Sequence, residues 1–297
     1  MGCLNSHGQF KHWFGNLHLS GMCNRSCYFC IGQHMMALDP FDNLDTYPLK
    51  NFDSFIEKCK AQNVKEVNLT GSNTDPLLYK HQIKLIGDLR AEIPGVRVGL
   101  RTNGALILKE PSNWFLYDKA SISVTTLNPE LYIKTMGQGN PPNLERILNL
   151  RPGMPVKANV VICPEVLEGP NPDLLNTIRE LRHLGFKKIN IREPYGQPHI
   201  GDPLAKLGFI KTGTVLGMPL YGIGDTDVVY WDVHYVEVES VNLYANGVIS
   251  ETYPVTKGHD PVAGKVEDQT HFQKSGRVTD QWLSRQKKIS LHVIQQS

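Results

Sequence analysis

The sequence predicts an α/β fold, a partial (β/α)6 TIM-like barrel with a C-terminal antiparallel β extension. Three observations predict it. From residue 13 to about 194, short strand-like runs alternate with helix-like runs, the pattern of parallel strands joined by crossover helices. Each of the six strands is polar on one face and apolar on the other, whereas a parallel strand covered on both sides reads as a nearly continuous apolar run. After Pro194 the alternation stops: Tyr195 to Gly224 is rich in Gly and Pro, and Asp227 to Tyr253 reads as an antiparallel meander with Asn246-Gly247 as its hairpin turn.

Taken in order, the strands are Trp13 to Leu19, Val64 to Thr70, Val96 to Thr102, Ala120 to Thr125, Val156 to Ile162 and Lys188 to Glu193. Helical patterns fill Phe52 to Gln62, Pro76 to Ile93 and Pro172 to Leu184; in the last, Leu174, Ile178, Leu181 and Leu184 form one apolar stripe. The polar strand faces carry Asn16, His18 and Ser20, then Glu66, Asn68 and Thr70, then Arg97 and Arg101. They continue with Ser121, Ser123 and Thr125, then Lys157 and Asn159, and finally Asn190 and Arg192. Helices cover the apolar faces, so the polar faces line a lumen. Chemistry in such barrels sits at the C-terminal strand ends. Periodicity does not show curvature, and an open doubly wound sheet is the competing arrangement. Residues 13–194 are read as the barrel, and 195–297 as a β-meander and tail covering its open side.

The chemistry concentrates in Cys23-Asn24-Arg25-Ser26-Cys27-Tyr28-Phe29-Cys30, where three of six cysteines are spaced C-x3-C-x2-C directly after the first strand. Thiolates this close bind a metal or a cluster, but three sulfurs close neither a tetrahedral zinc site nor a four-iron cluster. One position needs another ligand. His34 completes a C-x3-C-x2-C-x3-H pattern suited to a non-enzymatic Cys3His zinc site or a sensor, and an exogenous ligand on an iron–sulfur cluster is the alternative.

Composition narrows the classes. The net charge is +2, and the only basic cluster is Arg285-Gln286-Lys287-Lys288, too little for a nucleic-acid footprint. No apolar run approaches the roughly 18 residues of a membrane span and no signal peptide is visible. Met1-Gly2-Cys3-Leu4-Asn5-Ser6 fits a myristoylation pattern that arises easily by chance. Free cysteines in a metal-type motif point to a reducing cytoplasm.

The octet, with the aromatic Phe29 before its third Cys, resembles the signature of the radical S-adenosylmethionine (radical SAM) enzymes. Further strand ends carry the same resemblance. Gly71-Ser72-Asn73-Thr74-Asp75-Pro76-Leu77-Leu78 is similar to the family's Gly-Gly-Glu-Pro turn, two residues longer and with Asp75 for Glu. Asp75 before Pro76 also suits a helix cap. Arg101-Thr102-Asn103-Gly104, the stretch from Ser121 to Leu131, and Val156-Lys157-Ala158-Asn159-Val160-Val161 resemble the branch that contains the cyclase making the molybdopterin precursor.

The resemblance implies one 4Fe-4S cluster on Cys23, Cys27 and Cys30, with S-adenosylmethionine on the open iron. Phe29, Gly71, Ser72, Asp75, Ser123, Asn159 and Glu193 are then cofactor contacts. It implies reductive cleavage of the cofactor to a 5′-deoxyadenosyl radical that takes hydrogen from a substrate, fed by a low-potential donor such as flavodoxin or ferredoxin. Arg101, Thr102, Lys157 and Arg192 on the lumen side favour an anionic small molecule or nucleotide. Cys163, closing the fifth strand, is a candidate hydrogen donor, with an inert buried thiol as the alternative. The absence of cysteines after Cys163 excludes a second cluster held by C-terminal thiolates of this chain and speaks against the cyclase assignment itself.

Overall fold

The computed structural model describes residues 13–32, 41–168, 172–194, 200–232 and 238–252. His34, His234, His259, His271, the N-terminal Gly2 and the tail expected to cross the open side of the barrel lie outside the described residues. Eleven strands form one sheet: β1 (Phe14–Leu19), β2 (Glu66–Gly71), β3 (Arg97–Thr102), β4 (Lys119–Ser123), β5 (Val156–Val161), β6 (Lys188–Arg192), β7 (Gly213–Val215), β8 (Met218–Ile223), β9 (Thr226–Trp231), β10 (Glu239–Leu243) and β11 (Ile249–Thr252). Their spatial order is β11-β10-β1-β2-β3-β4-β5-β6-β9-β8-β7. The main crossover helices are α1 (Phe52–Ala61), α2 (Gln82–Glu92), α3 (Pro129–Met136), α4 (Leu144–Leu150) and α5 (Asp173–His183).

The first six strands fall within one or two residues of their sequence-based limits. The C-terminal part differs. Asn246-Gly247 does turn the antiparallel β10–β11 hairpin, with Gly247 N donating to Tyr244 O at 2.8 Å, and β7, β8 and β9 are antiparallel neighbours. Yet β9 also pairs in parallel with β6, and β10 in parallel with β1. Among the described residues of 227–253, the two halves extend opposite edges of the parallel sheet rather than forming one meander. The expected helix from Pro76 to Ile93 is also divided, into a 3-10 turn Pro76–Leu78 and α2, because Tyr79 is extended at φ −70°, ψ 126°.

The alternation of the strands sets inside from outside. Leu17, Leu19, Val67, Leu69, Val98, Leu100, Ile122, Val124, Ile189 and Ile191 are buried in one continuous core under the helices. There α5 contributes Leu174, Ile178 and Leu181, each stabilising by roughly 1.5–3 kcal/mol on burial. On the other face, Asn16 stands in register with both Asn68 and Asn242, and Asn16 Nδ2 donates to Asn242 Oδ1 at 2.7 Å. These polar residues are buried too, inside the lumen.

The sheet is curved. His18 on β1 and Arg192 on β6 line one cavity, although in a flat sheet five strand spacings would hold them roughly 24 Å apart. The fold is therefore a partial TIM-like barrel with antiparallel strands at its edges.

Candidate functional site

The cavity opens at the C-terminal ends of the parallel strands and holds about 190 Å³ of space for water-sized occupants. Cys23, Cys27 and Cys30, from the loop after β1, all line it. Burial pushes the thiol of Cys23 up to about 12, with the nearby Asp75 carboxylate adding to the shift. Burial likewise raises Cys27 and Cys30, and the Cys30 thiol adds to the rise at Cys27. As free thiols they hold their protons, and metal binding must release them.

The cysteine loop is clamped from two sides. Ser26 N donates to Met136 O at 3.1 Å, Cys27 Sγ lies 3.5 Å from Met136 Sδ, and Gln138 Nε2 donates to Asn24 O at 2.9 Å. Arg25 packs over the Tyr132 ring at 5.7 Å. From the β3 side, Asn103 Nδ2 donates to Asn24 Oδ1 at 2.7 Å. Asn128 caps α3, accepting from Glu130 N and Leu131 N, so the helix that carries Met136 starts at a fixed place.

The turn after β2 is equally fixed. Gly71 admits no side chain, since a Cβ there would fall 1.7 Å from Thr74 O. Asp75 is buried and accepts from Leu77 N at 3.0 Å, from Thr102 Oγ1 at 2.7 Å and from Asn103 N at 2.7 Å. The cap expected of it is present, and the same carboxylate ties the β2 turn to the end of β3. Burial raises its pKa despite these donors. Asn73 Oδ1 accepts from Ser20 Oγ and Gly21 N, both at 2.9 Å, joining that turn to the start of the cysteine loop.

Of the residues proposed from sequence, the cavity gathers Phe29, Gly71, Ser72, Asp75, Ser123, Asn159, Glu193, Arg101, Thr102 and Arg192 with the three cysteines. Glu193 Oε1 is engaged by Tyr230 Oη at 2.6 Å and by Ile200 N and Gly201 N at 2.9 and 2.8 Å. Asn159 Nδ2 donates to Ser121 Oγ. Thr102 is taken up by Asp75.

Two sequence-based residues stand outside the cavity lining. Lys157 lies lower in the lumen, where burial lowers its pKa to about 7, helped by Arg101 and Lys119 and opposed by Glu66. Glu66 is paired with Lys119, and with Arg97 at 3.5 Å; together with Asn68 these overcome the upward push of burial and leave its carboxyl below the usual range. Cys163 has the lumen parity of Lys157 and Asn159, but β5 ends at Val161 and Cys163 becomes the residue preceding the Pro164–Leu167 helical turn. Its thiol is fully buried beside Tyr28, whose hydroxyl donates to Glu165 at 2.8 Å. Burial pushes that thiol up to about 12.

Sequence reading passed over Asn73, Asn103, Arg25, Met136 and, above all, His18 as site residues. Asn73 and Asn103 stand inside the stretches already singled out. Arg25 stands inside the cysteine octet itself, whereas Met136 carried no signal, since its contact with Cys27 spans more than 100 positions.

Among the described residues, no three or more His, Cys, Asp or Glu side chains converge on a single-ion site. A cubane cluster does not require such convergence, because each thiolate binds a different iron. Three thiols on one loop, facing a cavity with room beside them, fit that donor set.

A half-open parallel barrel with its reactive side chains at the C-terminal strand ends is an enzyme architecture. The family model described as "Radical SAM superfamily" matches residues 17–199, and the chain belongs to that superfamily; its cofactors are a 4Fe-4S cluster and S-adenosylmethionine.

Curated relatives include a GTP 3′,8-cyclase of Helicobacter pylori, 29% identical over 175 residues, covering 58% of this chain and 53% of that protein. A probable GTP 3′,8-cyclase of Methanocaldococcus jannaschii is 30% identical over 135 residues, covering 44% and 41%. The chain thus spans about half the length of the curated relatives it matches. These relatives agree with the cyclase-like branch to which the strand ends point. Among solved structures, Streptococcus suis SuiB bound to S-adenosylmethionine superposes with a TM-score of 0.53 at 13% identity, covering 82% of this chain and 58% of that one, a likeness of fold.

Proposed function

We propose that Cys23, Cys27 and Cys30 each hold one iron of the 4Fe-4S cluster and that this site acts on an anionic, nucleotide-type small molecule. The observation that carries the reading is that the three thiols share one cavity with Arg101 and Arg192. The relatives' names point to GTP as a member of the substrate class. When bound, the cluster and S-adenosylmethionine supply a 5′-deoxyadenosyl radical for hydrogen abstraction.

The chain's own residues bind, aim and shield. Asn73 holds the β2 turn against the start of the cysteine loop and Asp75 ties it to the end of β3, so the backbone of Gly71 and Ser72 is preset for the cofactor's amino end. Ser123, Asn159, Phe29 and Glu193 contact the rest of the cofactor. Arg101 and Arg192 clamp an anionic group, with Lys157 below them in the lumen. Thr102 holds its strand end in place through Asp75. Cys163, shut away beside Tyr28, fits an inert thiol better than a hydrogen donor.

Residues 13–194 form the barrel of this reading, and β9 and β10 from the C-terminal part extend its walls. A flavodoxin- or ferredoxin-type protein supplies the electron, and the cytoplasm provides the reducing surroundings that the thiols require; no described helix is long and apolar enough to cross a membrane.

Anaerobic reconstitution tests the site. We expect about four iron and four sulfide per chain, lost on Cys23→Ala, Cys27→Ala or Cys30→Ala and unchanged by His34→Ala. About one zinc per chain, lost on His34→Ala, would establish the Cys3His site instead. Binding of neutral nucleosides as tightly as of their triphosphates, with Arg101→Ala and Arg192→Ala without effect, would end the anionic-substrate reading.

A further inference from the structure

His18 enters the sequence analysis only as one of the polar positions of β1, and no role is assigned to it above. It is 5% exposed and lines the cavity. Its ring stacks on Tyr244 with centroids 4.6 Å apart, and its Nδ1 lies 3.4 Å from Ser72 Oγ. Nε2 is buried with no hydrogen-bond partner.

The Asn242 side chain is the hydrogen-bonding group that favours the charged ring, without meeting Nε2 at bonding geometry; its nitrogen donates to Ser240, Ser250 and Thr252 and its oxygen accepts from Asn16. Two positions earlier on the same strand face, Asn16 is fully buried and its Oδ1 is likewise unpartnered. Leaving such a group unmet costs about 1–3 kcal/mol, and of the two only His18 lines the cavity, so its unmet nitrogen marks where a ligand belongs.

The chemistry of that ligand follows. Desolvation lowers the pKa of His18 to about 3, with Arg101 adding to the shift, so the ring is neutral and does not recognise charge. A neutral imidazole nitrogen at the cavity wall answers an uncharged hydroxyl or amide.

We propose that His18 is a substrate-positioning residue, whose Nε2 hydrogen-bonds a hydroxyl or amide edge of the nucleotide that Arg101 and Arg192 hold by its anionic end. This rests on the nucleotide reading above and adds the second point that fixes the substrate's orientation.

Two variants separate recognition from packing. His18→Phe keeps the ring stacked on Tyr244 and removes both nitrogens; His18→Gln keeps a polar amide near the position of Nε2. Equilibrium dialysis of GTP against the reconstituted, S-adenosylmethionine-loaded full-length chain should show His18→Phe weakened about 5- to 15-fold. His18→Gln should stay within about threefold of wild type, and both variants should keep wild-type iron content and S-adenosylmethionine affinity.

Equal GTP affinity in wild type and His18→Phe overturns the assignment, leaving His18 and Asn16 to an interior water. A loss in His18→Gln as large as in His18→Phe overturns it as well, since the loss would then not follow the hydrogen-bonding group. If the wild-type protein binds no GTP while retaining its cluster and S-adenosylmethionine, the nucleotide reading fails and this assignment falls with it.

Discussion

Gly137→Ala perturbs the contact that holds the cysteine loop without touching a thiol. Gly137 follows α3 at φ +82°, and a Cβ there would lie 2.1 Å from Ser26 Oγ, 2.6 Å from Ser26 O and 2.9 Å from Ser26 C. The hydroxyl can rotate away, but the carbonyl belongs to the backbone between Arg25 and Cys27. Restoring an ordinary contact of 3.4 Å from 2.6 Å moves that backbone by roughly 0.8 Å, several times the tolerance of about 0.2 Å on metal–ligand distances. Alanine also bears a left-handed backbone cost of about 1–2 kcal/mol.

For a chain of this size that cost corresponds to a fall in Tm of roughly 2–3 °C, too small to unfold the barrel. The variant should therefore stay folded yet take up less than roughly half the wild-type iron on anaerobic reconstitution, read by iron assay beside circular dichroism. Full iron with an unchanged Tm would refute the clamp, because the loop would then be free to yield.

Three further outcomes follow from the same geometry. Asp75→Asn places an amide donor against the Thr102 hydroxyl and Asn103 N–H that now donate to the carboxylate. It should lower stability by about 1–3 kcal/mol in denaturant titration, and an unchanged midpoint would remove Asp75 as the tie between β2 and β3. Lys157 titrates near 7 in the fold against 10.5 unperturbed, so the unfolded chain binds the extra proton between those values and stability from this group rises with pH across that window. Lys157→Met should be more stable than wild type at pH 7, with the difference shrinking toward pH 10.5; a constant difference would contradict a desolvated amine. Cys59, whose thiol burial pushes from 9.0 to about 12, contributes the opposite slope: stability present below pH 9 and lost as pH rises toward 12, a loss that Cys59→Ala should reduce in Tm measurements across that range.

The six barrel strands were legible because each carries a period-two pattern whose polar face is as regular as its apolar one, and only a lumen gives buried polar side chains such as Asn16, Asn68 and Ser121 a use. The cysteine loop was legible from spacing alone. The placement of β9 and β10 was not: a local pattern of alternating residues reads the same whether its partner is the next hairpin arm or, as for β10, β1 more than 200 positions away. The depth of a side chain in the lumen was also hidden, which is why Lys157 and Cys163 share a face with Asn159 but not its cavity. His18 offered no spacing signal, and only its unmet Nε2 sets it apart.

The most direct test of the central claim is the 5′-deoxyadenosine formed when the reconstituted protein is incubated anaerobically with S-adenosylmethionine and dithionite. The account predicts its release by the wild-type chain and by His34→Ala, and none from Cys27→Ala. A chain that holds its iron and sulfide but forms no 5′-deoxyadenosine, or a Cys27→Ala variant that forms as much as wild type, would contradict it.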